Sequence, residues 1–384
     1  MGQPALAAKP LSAKLERFLQ EARPTPFLAL DLDMVESQYQ TLQTLMPTAQ
    51  IYYAVKANPA RPILERLQML GSSFDVASPG EIEACLAAGV PSERISYSNT
   101  VKKASAIAYA YQKGIRLYAL DSEAELEKIA QYAPGSRVMC RLLTQGEGAT
   151  WPLNRKFGCD PEMAFGLMVR AKELGLEPYG LAFHVGSQMT NPGGWEKPIA
   201  EVAKLWARLE KEGVYLKLVN MGGGLPATYR ESLPDIEKYL QRIQQDVHSY
   251  LGHWQPQVML EPGRFMVGDA GVTVAEVVLI ARKSPGDPVR WVFLDVGKYG
   301  GISEAIDGVI HFRIRTDKDG GLTGPVVLAG PTCDSHDTMY ESWLELPLNL
   351  EIGDRVYILS TGAYSANMST VSFNGFEPLR GFYL

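Results

Sequence analysis

IYYAVKANPARPILERLQMLGSSFDVASPGEIEACLAAGVPSERISYS, residues 51–98, reads as strand, helix, strand, helix, strand. The apolar run from Ile51 to Val55 ends at Lys56, and a second run, Phe74 to Ala77, ends at a helix start. There Ser78 can cap and Pro79 sits in the first turn, where a missing N–H costs nothing. A third run spans Arg94 to Ser98. Five more follow at similar spacing: Arg116–Leu120, Arg137–Leu143, Gly180–Val185, Tyr215–Met221 and Gln257–Glu261. Between them Ala124–Gln131 and Glu162–Leu174 place apolar residues three and four apart, as a half-buried helix requires. Ser122 and Glu125 form a capping-box pattern ahead of the first of these. Eight strand–helix units in a row predict a (β/α)8 TIM-like barrel of the α/β class. The competing doubly wound sheet lacks a G-x-G-x-x-G after its first strand.

Outside this series the texture differs. Phe27 to Leu32 stands alone ahead of it. From about Gly271 helical periods fade, and Val272–Ile280, Trp291–Asp295, Val309–Ile314, Pro325–Ala329, Leu344–Leu348 and Asp354–Leu359 read as strands. Thr316 to Gly321 is a turn between two of them. The expected division is a barrel over residues 26–270 and a mostly-β domain over 271–384, to which residues 1–25 contribute.

Composition narrows the class. With 46% hydrophobic and 21% charged residues the chain is that of an ordinary globular protein. A net charge of -6 without a Lys/Arg cluster argues against a nucleic-acid partner. No apolar run reaches the length of a membrane span, and no charged segment followed by an apolar one marks a secretory signal. The four cysteines, Cys85, Cys140, Cys159 and Cys333, form neither a C-x-x-C pair nor a zinc pattern, so no metal is expected. A reducing, cytoplasmic setting fits.

In such a barrel, chemistry collects at the C-terminal ends of the strands. Those ends carry Lys56, Asp75 and Ser78, Arg141, His184 and Ser187, Gly222-Gly223-Gly224, then Glu261 and Arg264. A lysine leaving an apolar strand is partly desolvated, which frees its amine to attack an aldehyde. Three glycines after a strand let backbone N–H groups approach a phosphate. Arg264 can pair with a phosphate through its planar fork. Glu261 can face a ring nitrogen, and His184 can lie flat on an aromatic ring. Each has a plain structural reading alone: a snorkelling lysine, a bend, an ion pair, a hydrogen-bonded core histidine. Their convergence on one barrel face is what weakens those readings together.

The motifs YAVKAN, FDVAS, HVGSQ, GGG, EPGR, GPTCDS and GAY, in this order, resemble the fold-type III pyridoxal-phosphate decarboxylases, the family of ornithine, lysine and diaminopimelate decarboxylases. The resemblance covers about residues 25–384. It implies that Lys56 carries pyridoxal 5'-phosphate, that His184 stacks on the pyridine ring and that Glu261 meets the ring nitrogen. Gly222, Gly223, Gly224, Arg264 and Tyr364 would hold the phosphate, with Ser187 nearby. Asp75 and Glu81 would orient Lys56, and Arg141 would set the charge beside the ring. Cys333 would supply the proton after carbon dioxide leaves. Family members lend the loop matching Cys333-Asp334 to a partner's site, which implies a homodimer.

The same resemblance bears on substrate. Asp334 from the partner and Asp307 would face the distal ammonium of ornithine or lysine, the products being putrescine and cadaverine. Diaminopimelate enzymes carry Glu after the Cys and an Arg for the distal carboxylate, where this chain has Asp334 and Ser303. Arginine enzymes of this fold are expected to be much longer. Eukaryotic ornithine enzymes carry Tyr before the aspartate matching Asp307, where this chain has Ile306, as in bacterial forms that take both ornithine and lysine. Two alternatives stay open: a diaminopimelate decarboxylase, and a catalytically inactive homologue that binds the cofactor.

Overall fold

The computed structural model describes residues 11–146, 148–151, 156–231 and 233–384, apart from the side chains of Trp151 and Asp307. It resolves into two compact units. One comprises residues 36–226 and 233–266, the other 1–35, 227–232 and 267–384.

The first unit is a closed barrel of eight parallel strands: Ala49–Ala54, Ser73–Val76, Ile95–Tyr97, Leu117–Leu120, Arg137–Arg141, Glu177–Ala182, Leu218–Asn220 and Gln257–Leu260. Each coincides with one of the eight runs read from the sequence. The eighth strand closes on the first, with Val258 opposite Ala49. Tyr52, Leu117, Ala119, Met139, Tyr179, Ala182, Leu218 and Met259 make one buried cluster drawn from six of the strands. The helices Glu123–Tyr132 and Pro161–Glu173 cover the two predicted segments.

Ser78 caps the helix Pro79–Ala87 as expected, its hydroxyl accepting from the Glu81 amide at 3.3 Å. The capping box at Ser122 does not form: Ser122 makes no side-chain cap bond. Glu125 instead turns inward and pairs at 3.0 Å with Lys102, whose side chain is fully buried. Burial pushes the Lys102 ammonium down to about 8 against the pull of Glu125, and the carbonyls of Asn99 and Ala119 also receive it. The competition is won by the buried charge, because an unpaired ammonium costs more than a missing cap contributes. Replacing Glu125 by Gln should therefore destabilise the protein by about 3 kcal/mol or more, measured by denaturant unfolding, and Lys102→Met in the same chain should recover part of that loss.

The second unit is built on a nine-stranded sheet. Phe27–Leu30, the run that stands apart in the sequence, pairs antiparallel with Gly271–Ala281 and parallel with Arg380–Tyr383. Helix Ala13–Gln20 packs Leu15 and Leu19 into a cluster with Phe27, Val272, Val274 and Tyr357. Strands Arg290–Leu294, Thr323–Ala329, Glu345–Pro347 and Arg355–Leu359 fall where the sequence places them. The strand expected over Val309–Ile314 does not form: a 3-10 turn covers Ser303–Gly308, and the strand begins only at Ile314. Alternating burial of Ile310 and Phe312 produced the strand-like pattern. The Tyr340 hydroxyl serves the backbone there instead of a ladder, donating to Ile310 O and accepting from the Phe312 amide. Thr338–Tyr340 and Arg380–Tyr383 are strands that the pattern did not reveal. Among the described residues no helix is long and apolar enough to cross a membrane, and no acidic, His or Cys cluster could hold a metal ion.

Candidate active site

Eight polar positions singled out above lie at or just past the C-terminal ends of the barrel strands. Lys56 rides on a 3-10 turn, Val55–Ala57, directly after the first strand. Tyr53 ties that turn together, its buried hydroxyl donating to Asn58 O at 2.9 Å. The Lys56 ammonium is exposed and stands 4.0 Å from Asp75 Oδ2 on the second strand. Burial, then the charge of Glu261, pushes the Asp75 carboxyl well above its ordinary range, while Lys56 pulls it back. Asp75 Oδ1 is buried and makes no hydrogen bond among the described residues. An orphaned acceptor of this kind marks a place where a bound group belongs. Glu81 is pushed up by burial; it accepts from the Ala77 amide at 2.6 Å and so braces the strand end from behind.

Arg141 ends the fifth strand, its guanidinium 5.0 Å over the Phe157 ring. Burial lowers its pKa, against the attraction of Glu261, Asp121 and Asp75. His184 follows the sixth strand. Its Nδ1 accepts from the Gly186 amide at 3.0 Å, so that nitrogen carries no proton. Burial, with Arg141 and Lys56 nearby, holds the imidazole well below its usual range, hence neutral. The ring lies against the glycine loop: a Cβ at Gly222 would come 3.1 Å from His184 Cδ2, and one at Gly223 3.2 Å from Nε2.

The three glycines are demanded by space as well as by conformation. Gly222 has φ +67° and Gly224 φ +117°, which L side chains rarely adopt. A Cβ at Gly223 would sit 2.6 Å from Glu261 O. The Gly222 amide is already spent on Asn220 Oδ1 at 2.9 Å. Glu261 follows the eighth strand, buried, with Oε1 accepting from Asn220 Nδ2 at 2.6 Å. Arg264 is also buried and donates from Nε and Nη2 to Ser187 Oγ at 3.2 and 3.1 Å. Asn220 is the residue that the sequence reading passed over. Its signal was a lone polar residue closing the apolar run Leu218-Val219, two residues before the glycine loop.

These residues fit a phosphorylated pyridine aldehyde. An amine stands beside a buried acid, a neutral imidazole lies alongside, a buried carboxylate is available to a ring nitrogen, and a bare glycine turn neighbours a buried guanidinium. Four candidates belong to the other unit. The Cys333 thiol is exposed, and its amide donates to Asn374 Oδ1 at 3.0 Å. Asp334 accepts from the His336 amide and ring and from the Tyr299 hydroxyl at 2.7 Å, which together pull its carboxyl down to about 2. It is therefore ionised at any physiological pH. Tyr364 is half-buried with φ +53°. Asp307 lies in the turn Ser303–Gly308, and its side chain falls outside the described residues.

Comparison with known proteins points the same way. Residues 32–268 match the model of the pyridoxal-dependent decarboxylase family's pyridoxal binding domain. A lysine/ornithine decarboxylase from Selenomonas ruminantium is 34% identical, over 95% of this chain and 91% of its own length. The crystal structure of a lysine/ornithine decarboxylase from Vibrio vulnificus, complexed with cadaverine, superposes with a TM-score of 0.88 at 31% identity, covering 97% of this chain and 99% of that one. The arginine decarboxylase of Paramecium bursaria Chlorella virus superposes equally well, TM-score 0.88 at 28% identity, over 97% of this chain and all of that one. An arginine enzyme of this fold can thus be as short as this chain, which removes length as an argument against arginine.

Proposed function

Since the chain belongs to the pyridoxal-dependent decarboxylases, with pyridoxal 5'-phosphate as cofactor, we propose that it decarboxylates basic amino acids, L-ornithine to putrescine foremost and L-lysine to cadaverine as well. The observation that carries this reading is the convergence of Lys56, Asp75, His184, Glu261 and Arg264 at the strand ends of one barrel, in a relative of enzymes named for lysine and ornithine. When bound, the cofactor supplies an electron sink for the pair left on the α-carbon as carbon dioxide departs.

The chain's own residues do the rest. Lys56 would hold the cofactor through its amine. Asp75 stands beside that amine, 4.0 Å away. The neutral His184 offers its flat face to the ring without adding a positive charge. Glu261 would meet the ring nitrogen and favour its protonated form. Because the Gly222 amide is engaged by Asn220, Gly223 and Gly224 are the amides left for the phosphate, with Arg264, Ser187 and Tyr364 as further donors. Arg141 tempers the negative charge of Glu261 and Asp75. Cys333 holds the proton delivered to the α-carbon. Asp334 and Asp307 receive the distal ammonium. The Cys333-Asp334 loop is lent to a partner subunit, so the working unit is a homodimer in the cytoplasm.

Release of carbon dioxide from ornithine, lysine, arginine and diaminopimelate, side by side with added cofactor, tests the reading. Ornithine is expected to be preferred, with lysine turned over measurably, since one methylene in a fitted pocket is worth only about 1–3 kcal/mol. Release from diaminopimelate or arginine alone would overturn the substrate assignment, and none from any would favour an inactive homologue. Asp334→Asn and Asp307→Asn should raise KM for ornithine and lysine alike, each removing a charge that faces the ammonium. Changes at Ile306, a neighbour of apolar character, should instead alter the ratio between the two. An unaltered KM for both substrates in Asp307→Asn would take that residue out of the pocket.

A further inference from the structure

Asn220 closes the seventh barrel strand and is 2% exposed. Its side chain makes two demanding hydrogen bonds at once. Oδ1 accepts from the Gly222 amide at 2.9 Å, and Nδ2 donates to Glu261 Oε1 at 2.6 Å, with Met139 Sδ also within 3.4 Å of Nδ2. The orientation of the amide follows from chemistry. A backbone N–H can only donate, so the oxygen must face Gly222, and the NH2 group must then face Glu261. Tyr52 on the first strand, Asp75 on the second and Arg141 on the fifth also interact with Glu261. Asp75 has the same charge sign, and Arg141 is itself disfavoured by burial. Asn220 is therefore the neutral donor that holds this carboxylate from the strand side.

We propose that Asn220 is a positioning residue for the cofactor: its amide holds Glu261 turned toward the pyridine nitrogen, and its carbonyl sets the turn at Gly222 that opens the phosphate seat. The inference rests on the cofactor placement given above. One amide group thereby couples the two ends of the cofactor's seat, the carboxylate that meets the ring and the glycine turn that meets the phosphate. The strand geometry explains why it can. Asn220 ends the seventh strand, in register with Met259 on the eighth, and Glu261 follows that strand's last residue. Gly222 can swing back to the amide because its φ is +67°.

Two variants of the full-length holoenzyme test this. Asn220→Leu keeps the volume and removes both bonds. Asn220→Asp keeps the acceptor for Gly222 and sets a second carboxyl against Glu261. Enzyme loaded with cofactor labelled by 15N in the ring reports the ring proton directly through the nitrogen resonance, and equilibrium dialysis reports cofactor affinity. Asn220→Leu should move the resonance toward the unprotonated position, weaken cofactor binding by about tenfold, and lower kcat while leaving KM for the amino acid nearly unchanged. In Asn220→Asp the two facing carboxyls favour a shared proton, so cofactor affinity should fall with rising pH by several-fold more than in wild type, as that proton is lost. If Asn220→Leu fails to fold, the pH dependence of Asn220→Asp carries the test alone. A wild-type resonance in Asn220→Leu, or an Asn220→Asp affinity that tracks wild type across pH, overturns the proposal. Wild-type protein that binds no labelled cofactor at all would instead remove the cofactor placement on which it rests.

Discussion

Lys56→Ala should lower kcat about a thousandfold or more, a loss of ~4 kcal/mol of transition-state stabilisation, while leaving the fold intact. The lysine side chain is exposed, and its ion-pair partner stands 4.0 Å away, so little packing is lost with it. What is lost is the amine at the end of the first strand that is proposed to capture the cofactor covalently and to release product. Borohydride treatment of the wild-type holoenzyme should bleach its yellow colour and leave a stable label on Lys56; the variant should take up none. A label found on another lysine, or a variant of near-normal activity, would remove Lys56 from its assigned role. The substitution also has a stability signature. Lys56 pulls the Asp75 carboxyl down against burial and Glu261. Without it that carboxyl rises further above its unfolded value, so the folded state binds more protons than the unfolded state through the window above the ordinary carboxylate range. Stability contributed at acid pH is then lost as pH rises through that window, and the variant should fall further behind wild type at neutral pH than at about pH 4.

Equimolar mixing of Lys56→Ala with Cys333→Ala protein should restore activity from near zero to about a quarter of wild type when subunits exchange at random. Half the dimers are then mixed, and each mixed dimer has one site with both residues present. The expectation follows from the proposal that Lys56 on the barrel unit and Cys333 on the β unit meet across two subunits. The exposed thiol of Cys333 and the ionised Asp334, braced by Tyr299 and His336, are groups suited to presentation to another chain. Mixed dimers verified by mass but without activity would mean that each site is completed within one chain.

The barrel was legible in the sequence because its signal is local and repeated. Each strand is a short apolar run, each helix has its own period, and the strand ends that carry functional residues place them at the same step of the cycle. Lys56, His184, Glu261 and Arg264 were legible as one group because strand ends share one face by topology alone. The β unit was less legible. Ile310 and Phe312 alternate like strand residues, yet a tyrosine hydroxyl serves their backbone, and Arg380–Tyr383 becomes a strand only because Phe27–Leu30 lies beside it.

The sequence by itself determined the eight-fold strand–helix order, the identity of the residues at the strand ends and the likeness to a decarboxylase family. The tertiary structure alone decided what those residues do to one another. Glu125 abandons its helix cap for Lys102, Asp75 is left with an unanswered oxygen, and Asn220 faces Glu261 across neighbouring strands, forty-one residues apart in the chain. Periodicity and capping depend on residues within a turn or two of each other. Burial, charge pairing and the direction of an amide depend on which distant side chains share the same few ångströms, and only the closed barrel brings them there.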